Sequence, residues 1–131
     1  MARTALVALV LAGLLVSAAS AAKPAVTINY RQSSCLQRPL VGKGEVRFFV
    51  RFYNSSNREA TFGQDIRFLW LRTDGWKDSW LNTIDGDSIK VPARRGKTYY
   101  ADFGADPTKR ILRCALRIGT SDRLHFVRVL R

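Results

Sequence analysis

Few residues in this chain have a type and spacing that could do chemistry. The only histidine, His125, stands in an apolar run near the C-terminus, with no Ser, Cys or carboxylate at the spacing of a nucleophile–base motif. A lone histidine of this kind reads as a packing or surface residue, so no catalytic residue is expected and the protein is read as a non-enzyme. Asp74, Asp78, Asp85 and Asp87 gather around two Asp-Gly pairs. They could meet a calcium ion or form a glycosidase-like carboxylate pair. Their spacing departs from the Asp-x-Asp-x-Asp-Gly calcium loop, Asp-Gly is above all a hairpin turn, and nothing marks one of them as proton donor. No metal and no cofactor are expected.

Three other groups of residues have more specific implications. Cys35 and Cys114 are the only cysteines and lack the Cys-x-x-Cys spacing of zinc or redox sites, so a mutual disulfide is expected. Trp70, Trp76 and Trp80 flank Thr73-Asp74-Gly75; Trp70 is in phase with Ile66 and Phe68 and belongs to the core. Trp76 and Trp80, four apart in a polar segment, share a face whether that segment is strand or helical turn, and can stack on a sugar or a partner's side chain. The third group is cationic. Lys and Arg number 22 against 10 Asp and Glu, and sixteen of the 22 are Arg, suited to bidentate contact with phosphate or carboxylate. Arg113 and Arg117 form a row, with Arg128 on an adjacent strand if 119–122 is a hairpin. Lys90, Arg94, Arg95 and Lys97 form a second cluster, and Lys109 with Arg110 a third.

The elements that must position these residues begin after a secretory leader. Arg3, the apolar run Ala5–Val16 and the small residues of 17–22 have the three parts of a signal peptide, expected to be cleaved near Ala22. The apolar run is too short to span a bilayer. The remainder, 23–131, suits a single domain, and export places it where disulfides persist. Alternating patterns predict strands over Glu45–Tyr53, Asp65–Arg72, Lys97–Phe103 and Lys109–Ile118, with further strands at Ala25–Arg31, Ser88–Val91 and Asp122–Arg131. Cys35 falls in a loop after the first of these. The last run slips phase between Phe126 and Val127, for which a β-bulge is expected. The fold class is therefore all-β: an antiparallel sandwich of about seven strands, immunoglobulin-like in general shape, with one disulfide.

The functional expectation is a secreted or periplasmic binding module that docks through an Arg-rich face onto an anionic envelope component, acidic glycan or acidic protein, without specificity for nucleic acid. A structural subunit of an exported assembly is the alternative, since Phe49, Tyr53, Leu69 and Leu71 lie on strand faces that should meet water. A small secreted toxin or inhibitor is a third. Asn54-Ser55-Ser56 is a glycosylation sequon in an expected loop.

Overall fold

The computed structural model describes residues 24–40, 43–81 and 89–131. The expected signal peptide over 1–22 and the carboxylates Asp85 and Asp87 lie outside them. The described chain is all-β: β1 (Val26–Leu40), β2 (Lys43–Asn54), β3 (Ala60–Phe62), β4 (Ile66–Arg72), β5 (Gly75–Leu81), β6 (Ile89–Val91), β7 (Gly96–Ala105), β8 (Arg113–Ile118) and β9 (His125–Leu130). Seven strands form one sheet in the order β5-β4-β8-β9-β1-β2-β7, and β3 pairs with β6 apart from it. All pairings are antiparallel except β1 with β9. The large sheet curls into a half-barrel rather than a clear two-sheet sandwich. No helix among the described residues is long and apolar enough to cross a membrane.

The curl follows from the inward-facing residues. Along β2, Val46, Phe48, Val50 and Phe52 are buried and alternate with Arg47, Phe49, Arg51 and Tyr53, so one face is apolar. On β4, Ile66, Phe68 and Trp70 are buried in the same alternation. Phe48 lies 5.0 Å from the Phe68 ring, and Phe103 of β7 lies 5.0 Å from Phe68 and 5.9 Å from Trp70. Burying these rings against each other folds the β2–β7 end of the sheet over its β4 end, removing the largest apolar surfaces from water.

The Cys35–Cys114 disulfide forms as expected, with both residues fully buried. Cys35, however, lies within β1 rather than in a loop. That long strand carries the sheet's bulge, between Asn29 and Ser34, and not between Phe126 and Val127. The bulge is held by Ser33, whose Oγ donates to the Asn29 carbonyl (2.8 Å) and accepts from Arg51 N–H (3.0 Å). After it, Ser34–Leu36 pair with Arg128–Leu130 of β9. β9 thus pairs with β8 through His125–Val127 and with β1 through Arg128–Leu130, and Cys35 and Cys114 meet at that transfer. The expected strand at Lys109–Ile118 begins only at Arg113: Leu112 is 42% exposed, and Ile111 fills the core instead. Phe126 breaks the phase of the last run because it points outward on a regular strand.

Candidate binding face

Cross-strand register decides which of the flagged side chains meet. In antiparallel pairs, directly opposed residues point to the same side. Three rows therefore run across the outer face of β5-β4-β8-β9. Trp76 opposes Leu71, which opposes Arg113. Asp78 opposes Leu69, then Ala115, then Phe126. Trp80 opposes Arg67, which opposes Arg117. Arg128 is two residues beyond Phe126 on the same side of β9. Three strand spacings make this face about 14 Å wide.

The structure brings together Trp76, Trp80, Arg113, Arg117 and Arg128. The segment bearing the two tryptophans is a strand because the Asp74-Gly75 turn, with Gly75 at φ 113°, folds it back on β4. Trp76 and Trp80 are 40% and 51% exposed. Two residues not singled out from sequence complete the face. The Arg67 guanidinium lies 3.7 Å from the Trp80 ring centroid, with its Nε 3.6 Å from Asp78. The Arg113 guanidinium lies 3.8 Å from the centroid of Phe126, whose ring also meets Trp76 at 6.4 Å. These side chains cover Ala115, which is fully buried although it faces outward. The available signal for Phe126 was its phase slip: a large aromatic on the wet side of a strand.

Stacking holds both guanidinium groups in place; that of Arg67 faces Asp78, while that of Arg113 pairs with no carboxylate of the described residues, so there a carboxylate or phosphate would meet donors that have already lost most of their rotamer freedom. No carboxylate of the described residues pairs with Arg113 or Arg128, and Arg117 meets the fully solvated Asp122 at 3.4 Å and donates from its Nε to the Ser121 carbonyl at 3.2 Å. Some cations elsewhere are paired, as on the face itself: Arg47 binds Asp102 with two hydrogen bonds, and Arg72, Lys77 and Lys109 surround Asp74, whereas Lys90, Arg94, Arg95 and Lys97 meet no carboxylate of the described residues. Arg72 and Lys109 hold the Asp74 carboxyl well below the usual carboxylate range, and Arg47 lowers that of Asp102. Asp74 is thus occupied by cationic side chains, and no three His, Cys, Asp or Glu side chains of the described residues gather as metal ligands.

Lys90, Arg94, Arg95 and Lys97 are not part of this face. They flank the turn between β6 and β7, where Arg95 N–H donates to the Pro92 carbonyl and Arg94 takes a φ of 56°, a left-handed conformation unusual for a side-chain-bearing residue. Lys97 lies over the Tyr99 ring. Of the apolar residues noted on wet faces, Phe49, Leu69 and Leu71 are half-buried and Tyr53 is 45% exposed.

His125 stacks flat on Tyr30, with ring centroids 4.0 Å apart. Burial, with a smaller push from Arg123, lowers its pKa below the ordinary imidazole value. The unfolded chain therefore takes up this proton first as pH falls through about 6.5, and stability declines below that value until the native imidazole also protonates. Thermal melts by circular dichroism at pH 7.5 and 5.5 should show a lower melting temperature at pH 5.5, with a smaller difference in His125→Phe, which keeps the stacked ring. An equal drop in both proteins would assign the effect to other groups.

No protein-family model and no curated protein matches the chain. A solved structure described as the X-ray structure of Northeast Structural Genomics Consortium target SoR45 is similar over 79% of this chain and 82% of that one, with 7% sequence identity and a TM-score of 0.41. A likeness this loose carries no argument about function.

Proposed function

We propose that this protein is an exported, non-enzymatic binding module whose outer β5-β4-β8-β9 face docks onto an anionic partner: an envelope component, an acidic glycan or an acidic protein. The observation that carries the reading is the gathering of Arg67, Arg113, Arg117 and Arg128 among Trp76, Trp80 and Phe126, with two of the guanidinium groups stacked on rings. Such a face supplies charge for attraction at a distance and flat apolar surface for close contact. The buried disulfide is compatible with an extracellular location. An immunoglobulin-like shape is not needed, since the residues lie on strand faces and not on loops.

Retention of the oxidised domain on heparin-agarose tests this reading, with heparin as the acidic-glycan probe. Elution should occur below molar salt, and Arg113→Glu/Arg117→Glu should weaken binding at low salt about tenfold, because each neutralised contact releases counterions. Loss of retention equal to this in Lys90→Glu/Arg94→Glu would move the site to the β6–β7 turn. Retention that survives molar salt, or no retention on any anionic matrix, would end the proposal.

A structural role in an exported assembly is the second reading. It is favoured by Tyr53 and Tyr100, 45% and 64% exposed, which stand with Phe49 on the outer face of β2 and β7. A monomer by light scattering at high concentration counts against it.

A further inference from the structure

The arginines of the outer β5-β4-β8-β9 face are not equivalent. At one end, the row Trp80–Arg67–Arg117 carries its own counterions: Asp78 lies 3.6 Å from the Arg67 Nε, and Asp122 lies 3.4 Å from Arg117. Each cation meets a carboxylate, so this end is close to neutral. At the other end, Arg113 and Arg128 stand one residue beyond the Cys114–Val127 pair on adjoining strands, and neither meets a carboxylate of the described residues. The positive charge of the face is therefore concentrated at its Arg113 end. Arg113 and Arg117 are four residues apart on β8, which separates the two ends by about 13 Å.

Each end also offers an aromatic ring. Trp80 is half-exposed beside the Arg67–Asp78 pair, and Trp76 is exposed beside Phe126, the ring under the Arg113 guanidinium. An aromatic face is electron-rich, so the polarised C–H face of a sugar ring packs on it favourably. Sugar hydroxyls both donate and accept hydrogen bonds. Next to Trp80, the Arg67 guanidinium is a donor and the Asp78 carboxylate, whose side chain is 53% exposed, is an acceptor, so the pair suits neutral hydroxyls. Arg113 and Arg128 are donors only, the complement of a carboxylate or sulfate.

We infer that the partner of this face is a glycan of mixed character, with a neutral sugar on Trp80 and an acidic sugar at Arg113, two or three units along the same chain. The inference rests on the binding face proposed above and commits it to one partner class. A pyranose unit advances a chain further than an amino-acid residue does, so the four strand residues between the two ends correspond to two or three sugars. Other polyanions match less well. A nucleic-acid strand carries a phosphate at every nucleotide, spaced more closely than the two ends, and would set phosphates against Asp78 and Asp122. An acidic peptide can pair with Arg113 but brings no flat C–H face to Trp80.

The test titrates the oxidised protein calorimetrically with hyaluronan oligosaccharides, which carry a carboxylate on every second sugar, and compares them with polyglutamate of equal charge and with a homothymidine strand. The hexasaccharide should bind about tenfold or more tightly than the disaccharide or polyglutamate, because it alone engages both ends of the face. Trp80→Ala should remove that advantage and leave polyglutamate binding unchanged, whereas Arg113→Glu should weaken both acidic ligands. Should the alanine variant fail to fold, the comparison of ligands on the wild-type protein decides alone. The inference is overturned if the disaccharide or polyglutamate matches the hexasaccharide, or if Trp80→Ala weakens hexasaccharide and polyglutamate equally. Tighter binding of homothymidine would overturn it in favour of single-stranded nucleic acid. In all these cases the face keeps its Arg113-dependent binding of anions; both readings fall together only if no anionic ligand binds.

Discussion

Replacing both cysteines, Cys35→Ala with Cys114→Ala, is expected to cost about 4.5 kcal/mol, the chain-entropy value for a closed loop of 79 residues. A domain of this size holds only about 5–15 kcal/mol in total, so the variant should sit close to the unfolding threshold. The location of the bridge adds to the effect. It joins β1 to β8 where β9 transfers from one to the other, so without it the curl depends on three residue pairs on each side of β9. Urea unfolding followed by tryptophan fluorescence should show the midpoint lowered by roughly 2 M. A midpoint within experimental error of the oxidised wild type would mean that ring packing alone holds the sheet closed.

The second large effect is expected at Asn54, which closes β2 and is fully buried. Its Nδ2 donates to the carbonyls of Arg58 (2.7 Å) and Val91 (2.9 Å), and its Oδ1 accepts from the backbone N–H (2.9 Å) and Oγ (2.7 Å) of Ser56. One amide thus ties the end of β2 to the following loop and to β6, with two donor and two acceptor bonds in use. Asn54→Asp sets an acceptor against two carbonyls in a buried place and should cost about 3 kcal/mol. A melting temperature equal to wild type would refute this account. The same geometry bears on the sequon. A glycan on Nδ2 would remove at least one of these bonds and needs space that the buried site lacks. Secreted from a glycosylating host, the folded protein should have the unmodified mass, and a glycan found on folded chains would contradict the geometry.

Acid should weaken the fold further. Asp74 and Asp102 have depressed pKa values, so their contribution is present above about pH 4, where the unfolded carboxylates ionise, and is lost as pH falls toward the native values. This lies below the window in which His125 acts, so the two effects separate along the pH axis.

Much of the strand content was legible because it is written locally. The period-two alternation from Val46 to Phe52 and from Ile66 to Trp70 survives in the structure with little change in boundaries. The same local rule failed where a side chain broke the pattern. Phe126 looked like a bulge but is an outward ring under Arg113, and Lys109–Leu112 read as strand but precede β8, with Leu112 exposed and Ile111 in the core. Ala60–Phe62 was missed because three residues are too few to show a period.

The sequence by itself determined the all-β class, the pairing of the only two cysteines and the surplus of arginine, because each depends on composition or on neighbours a few residues apart. Only the tertiary structure decided that Trp76, Trp80, Arg113, Arg117 and Arg128 share a face while Lys90, Arg94, Arg95 and Lys97 do not, and that the sequon asparagine is buried. Those outcomes depend on register between strands tens of residues apart. A shift of one residue would turn every side chain of a strand to its other face, and no local pattern records which register wins.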